Sequence, residues 1–119
     1  MISRIWHGFT NVEGADQYET MLRQDVLPGI GRVQGYLGAQ LFRKNHDDEV
    51  EFVTITYFDG LDALKAFAGN DYTRAVIHPE AGKLLTHYDE RSQHYQLVDM
   101  LVSEEFNKLG GVKRLFREN

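Results

Sequence analysis

Five histidines, His7, His46, His78, His87 and His94, are the side chains of this chain best suited to move a proton near neutral pH or to bind a metal. His78 has the most specific setting, between the segment Tyr72–Ile77 and the dipeptide Pro79-Glu80. It reads either as a general base at a site or as a cap on a helix that starts at Pro79. His7 lies mid-strand among Ile5, Trp6 and Phe9. If its face lines a cleft it is a candidate base; otherwise it is a hydrogen-bonded histidine of a core or dimer interface. His87, with Asp89 two residues on, is either an oriented base or an exposed strand entry. His94 shares the last strand with Tyr95, so pairing buries one of the two and leaves the other at an interface. His46 sits in an acidic turn and is expected in solvent. No two histidines stand four apart on a helix and there is no cysteine, so the spacing predicts no metal site. Gly29-Ile30-Gly31 and Gly35-x-x-Gly38 do not lead a strand into a helix as a phosphate loop must. No Ser or Thr stands in a nucleophile elbow.

The elements that must position these groups fit one domain. A chain of 119 residues with 42% hydrophobic and 26% charged residues has the size and composition of a single globule that needs no staple. A net charge of −5 and the lack of a basic face argue against nucleic acid. Lys113-Arg114 and Arg117, beside Glu118, read as a solvated tail. No apolar run approaches the ~20 residues of a membrane span, and the N-terminus lacks a signal layout. A soluble, cytoplasmic protein is the expectation.

Ile2–Thr10 reads as a first strand. Ala15, Tyr18, Leu22 and Val26 recur at helical spacing and predict a first helix, which Leu27-Pro28-Gly29 should end. Tyr36–Lys44 and Val50–Phe58 read as a hairpin across the polar turn Asn45–Glu49. Asp59 is placed to cap a second helix, with Asp62 in a capping-box position, Leu61, Leu64 and Phe67 on its buried face, and Gly69 as its C-terminal cap. Short helical pieces are expected from Asp71 and from Pro79, then a long last strand, Tyr88–Val98. A short helix near Ser103–Leu109 belongs to a C-terminal extension, residues 99–119. The order βαββαβ over residues 1–98 is the ferredoxin-like, α+β arrangement: a four-stranded antiparallel sheet with two helices on one face. Strands one, three and four are apolar at both parities, so the bare face is expected to be covered, most simply by a second copy in a homodimer.

The pattern Trp6-x-Gly8-x-Thr10, Pro28-x6-Gly35-Tyr36-x-Gly38, Tyr57-Phe58, Ala66-Phe67-Ala68-Gly69, Ala75-Val76-x2-Pro79-Glu80 and His94-Tyr95 resembles the antibiotic biosynthesis monooxygenase domain family. The resemblance implies a dimeric α+β barrel. It also implies two kinds of site. Cofactor-independent oxygenases of the family use a Trp at the end of the third strand, an Asn four residues earlier and a Tyr on the next helix; these positions fall on Phe58, Thr54 and Leu64. The haem-degrading branch uses an Asn on strand one, a Trp on the second helix and a histidine iron ligand; these fall on His7, Phe67 and His78. With Trp6 and Tyr72, the residues Thr54, Phe58, Leu64 and Phe67 are the expected pocket lining, set against a plain core role for the aromatics. The resulting expectation is a small monooxygenase for an aromatic or polyketide-like substrate that needs no cofactor, with His78 or His7 as base. Two alternatives stand beside it: a haem-binding or haem-degrading protein with His78 on the iron, and a non-enzymatic dimeric ligand-binding or structural module.

Overall fold

The computed structural model describes residues 1–108. Strand β1 (Ile2–Thr10) is followed by α1 (Ala15–Met21), a π-helical turn (Leu22–Val26) and α2 (Leu27–Ile30). Strands β2 (Tyr36–Asn45) and β3 (Val50–Phe58) form the expected hairpin, closed by the His46 amide donating to the Glu49 carbonyl at 2.9 Å. Helix α3 (Leu61–Ala68), a 3-10 turn (Ala81–Leu84), β4 (Leu85–Tyr88), β5 (Gln93–Gln96) and α4 (Glu104–Asn107) complete the order. The sheet runs β2-β3-β1-β4, with β5 also on β1 and every pairing antiparallel. This is the ferredoxin-like α+β fold, with the helices on one face.

Five local expectations are corrected. The first helical run does not stop at Leu27-Pro28-Gly29 but continues to Ile30. Proline removes the amide that an α-helix would bond to the carbonyl four residues back. Just before it the backbone widens into the π-turn, where the Leu27 amide donates to the Leu22 carbonyl. The expected strand Tyr88–Val98 is split, because residues 89–92 turn from β1 to the connection. Ala75 N donates to Glu90 O (2.8 Å), Ser92 N donates to Thr73 O (2.6 Å), and the Asp89 carboxylate takes the His7 amide at 3.1 Å. No helix forms at Asp71, and only the 3-10 turn follows Pro79. Helix α3 starts from Gly60 without a side-chain cap, and Leu61 is 41% exposed; the buried face is Ala63 and Leu64. Gly69 does end this helix, at φ +85°, with its amide on the Lys65 carbonyl. Of the expected helix Ser103–Leu109, α4 takes Glu104–Asn107; Leu109 and the basic tail lie outside the described residues.

Register decides which side chains meet. Trp6 lies opposite Thr54 and Arg4 opposite Thr56, so Arg4, Trp6 and Gly8 face the helices with Phe52, Thr54, Thr56 and Phe58. Ile5, His7 and Phe9 face the other way with Glu51, Val53, Ile55 and Tyr57. The helix side holds two apolar clusters. One is built on Ala15, Tyr18, Leu22, Val50 and Phe52; the other on Phe58, Ala63 and Leu64, flanked by Phe67 and Tyr72. Between them the sheet carries Arg4, Trp6, Thr54 and Thr56.

Candidate functional site

A cavity of about 60 Å³ opens where the two clusters fail to meet. Arg4, Trp6, Thr54 and Thr56 form its floor; Leu22, Val26, Leu27 and Ile30 cover it from the first helical run. Phe67 of α3 and the connection Val76-Ile77-His78 complete the wall. Leu22 and Val26 are the two ends of the π-turn, so the irregular helix geometry borders the cavity. Such turns are frequent at functional sites. Val76 is 49% exposed and marks the mouth.

Trp6 is fixed from two sides. Its Nε1 donates to the Asp89 carbonyl at 2.8 Å, and its ring lies on Gly8, where an added Cβ would come within 2.5 Å of it. Only glycine leaves that space.

His78 borders the cavity with one ring nitrogen already committed. Its Nδ1 accepts from the amides of Glu80 and Ala81, both at 3.2 Å, and so caps the 3-10 turn. A nitrogen that accepts two N–H groups carries no proton, so in the neutral ring the proton sits on Nε2. In this arrangement Nε2 carries the N–H and can act only as a donor. To take a proton or bond a metal there, the ring would need the other tautomer and would lose both capping bonds. The two readings of His78 are therefore linked: the cap dictates what the free edge of the ring can do.

Arg4 is 5% exposed and lies on the cavity floor. Its Nη1 donates to the Tyr72 carbonyl and lies 3.1 Å from His94 Nε2, and its Nη2 donates to the Arg74 carbonyl at 2.8 Å. The guanidinium carbon sits 5.5 Å from the centre of the Phe67 ring. Burial lowers the Arg4 pKa to about 10, still far above neutral, so it carries its charge. Burial, and then the Arg4 charge, hold His94 below the ordinary histidine value, so neutral His94 accepts from Arg4 at Nε2. Tyr18, also on the wall, is buried at 2% exposure, which raises its phenol pKa and keeps it neutral.

Among the expected pocket residues, Trp6, Thr54 and Phe67 line this cavity, as does the candidate base His78. Phe58 and Leu64 do not: both are 0% exposed in the second cluster, with Phe58 stacked on Phe67 at 5.7 Å. Tyr72 packs on that cluster, sets its ring edge against His94 at 5.4 Å, and reaches the site only through its carbonyl. His7 is on the opposite face of the sheet, one residue out of phase with Trp6. There Nδ1 pairs with the Asp89 carboxylate at 2.8 Å, and Nε2 is 4.0 Å from Glu51. Asp89 thus orients His7 and not His87, which stacks on Phe9 at 4.0 Å and pairs with Glu49. His46 is paired with Glu51 at 2.9 Å. Sequence reasoning missed Arg4 and Ser92. The signal for Arg4 was present: strand period two places it on the same face as Trp6. Among the described residues no group of His, Cys, Asp and Glu is arranged to hold a metal ion, and no helix is long and apolar enough to cross a membrane.

No family model and no curated protein matches the chain in sequence. Solved structures do match it in fold. The haem degrader MhuD of Mycobacterium tuberculosis, with two haems in its active site, superposes at a TM-score of 0.61 and 17% identity, over 86% of this chain and 100% of that one. SnoaB, a cofactor-independent oxygenase from Streptomyces nogalater, gives 0.57 and 17%, over 86% and 98%. A Bacillus cereus protein proposed to be an antibiotic biosynthesis monooxygenase gives 0.57 and 11%, over 86% and 94%. The chain has the fold of antibiotic biosynthesis monooxygenases.

Proposed function

We propose that this protein is a small cofactor-independent monooxygenase that oxidises an acidic phenol or enol of an aromatic or polyketide-like substrate, and that it works as a homodimer. The observation that carries the reading is the cavity between sheet and helices. It is walled by Trp6, Phe67 and aliphatic side chains, and its few polar groups are N–H and O–H donors. An electron-rich anion formed in such a place is shielded from water and held by donors. It can then pass electrons to dioxygen directly. One oxygen atom enters the activated ring carbon as a carbonyl, the carbon gives up its two hydrogens, and the second oxygen atom leaves as water. At about 60 Å³ the cavity takes the reacting end of such a substrate, with the remainder toward the mouth at Val76. His78 acts as a donor to the developing oxyanion. His7, on the far face, is given no part in the chemistry.

The same geometry weighs against haem. Iron would need the Nε2 lone pair that the cap on Nδ1 denies, and a tetrapyrrole far exceeds a cavity of about 60 Å³. Added haem is accordingly expected to give no Soret shift that depends on His78.

Oxygen uptake with a panel of hydroquinones and anthrones tests the main reading. Turnover should fall at least tenfold in Phe67→Ala and less in His78→Gln. No uptake with any member of the panel refutes it. The dimer reading rests on the outer sheet face, where Ile5, Val53, Ile55 and Tyr57 lie beside Phe42 (47% exposed) and Tyr95 (57% exposed). A solution mass of twice 13.7 kDa is expected, reduced to one chain in Ile55→Asp; a wild-type monomer refutes it.

A further inference from the structure

Arg4 is a charge without a counter-charge. It is 5% exposed, and among the described residues it makes no ion pair, only bonds to two backbone carbonyls and a neutral histidine ring. A guanidinium offers five N–H donors, so two remain without an acceptor here. Buried charges are ordinarily paired, because the loss of hydration is costly. A second group on the same wall has the same need. Ser92 is 5% exposed, and its hydroxyl is a buried side-chain polar atom with no hydrogen-bond partner among the described residues. Buried polar groups are rarely left so. The hydroxyls of Thr54 and Thr56, on the floor across from Trp6 and Arg4, also make no hydrogen bond among the described residues. Among the described residues no carboxylate lines this cavity.

We infer that the cavity binds a small aromatic ligand through an oxyanion, with Arg4 as its counter-charge and Ser92 as a hydrogen-bond donor to it. An oxyanion is the ligand group that accepts from both and neutralises the guanidinium. Trp6, Phe67 and Ile77 then meet the apolar remainder. The ring stays small, because about 60 Å³ is well below the ~150 Å³ of a cavity that holds benzene, so even one ring extends toward the mouth. The oxyanion is either a carboxylate or a phenol ionised in place. This rests on the cavity of the oxygenase reading but requires no turnover.

The test is a titration of the intact protein with benzoate and with benzamide, its neutral counterpart, followed by the emission of Trp6, the chain's single tryptophan. Benzoate should bind at least about tenfold more tightly, the ratio expected for a charge-assisted hydrogen bond. Arg4→Met, which keeps the apolar stem, should remove that preference, and Ser92→Ala should weaken benzoate several-fold. Equal affinities for the two ligands, no binding of either, or an undiminished preference in folded Arg4→Met overturns the inference. If Arg4→Met does not fold, the wild-type ratio and Ser92→Ala decide. 4-Nitrophenol separates the sources: a lowered apparent pKa on binding, read from its absorbance, assigns an ionised phenol, and a benzoate preference without that shift assigns a carboxylate. Anion binding without oxygen uptake leaves the site and removes the oxygenase. Oxygen uptake unchanged in Arg4→Met does the reverse.

Discussion

Gly8→Ala is a sharp test of the cavity floor. A Cβ at this position would lie 2.5 and 2.8 Å from two carbons of the Trp6 ring and 2.9 Å from Leu85 Cδ2. Carbon atoms rest at about 3.5–4.0 Å, so the indole must withdraw by about 1 Å. Its Nε1 bond to the Asp89 carbonyl, 2.8 Å long, cannot keep good geometry through that movement. Overpacking costs about 1–3 kcal/mol and the weakened hydrogen bond about 0.5–1.5 kcal/mol. Replacing glycine in a strand returns about 0.5–1 kcal/mol. The net loss is about 0.5–4 kcal/mol, or a melting point lower by some 4–8 °C per kcal/mol in a domain near this size. Urea denaturation followed by circular dichroism measures the loss, and Trp6 emission reports the displaced ring independently. A variant as stable as the wild type, with unchanged emission, would refute the packing of Trp6 on Gly8 and with it the shape of the floor.

Other substitutions probe other parts of the fold. Phe58→Ala and Leu64→Ala, both at sites with 0% exposure, should cost about 3–5 and 2–5 kcal/mol in urea denaturation; losses under about 1 kcal/mol would return them to the pocket wall. Gly35→Ala should cost more than about 2 kcal/mol by the same measure, since φ is +91° and a Cβ would meet Ala63 Cβ at 2.5 Å; a neutral effect would contradict that turn. His94 is held below its ordinary value of 6.5 by burial and by Arg4, so below that pH the unfolded chain binds more protons than the folded one. Stability should therefore fall as pH drops through 6.5 and level off below the folded pKa, and a pH series of melting curves on His94→Gln should lack that component.

The parts of this protein that were legible in its sequence are those where one signal acts alone. The β-branched and aromatic runs of β1 and β3, and the turn Asn45–Glu49 between β2 and β3, had no competitor. The end of the first helix is not legible, because Pro28 signals a stop that the chain does not obey. A proline stops a regular α-helix, but a π-turn before it supplies another bonding pattern. The break in the last strand is not legible because the competitor is distant: the connection at residues 73–75 captures residues 89–92, which no local window reveals. In the site, Trp6, Thr54, Phe67 and His78 followed from pattern and resemblance. His7 was carried over by position in a family motif, although strand parity alone separates it from Trp6. Arg4 and Ser92 were invisible for another reason. Their significance lies in bonds they do not make, and only coordinates can expose a missing partner.

The π-turn makes the shape of the cavity depend on chain length. It holds one residue more than an α-turn over the same span, and each residue rotates an α-helix by about 100°. Deleting one residue from Leu22–Val26 would restore a regular helix there. The residue now at Leu27 would then bond to Leu22 as in an α-helix and, with Ile30, keep its place over the cavity, while the wall between Leu22 and Val26 would lose the bulge that now borders it. Relatives that differ here by a single insertion or deletion would present different roofs over the same sheet, even with identical side chains on either side of the gap. Substrate range in proteins of this fold can thus change by a change in count, with no change in residue type.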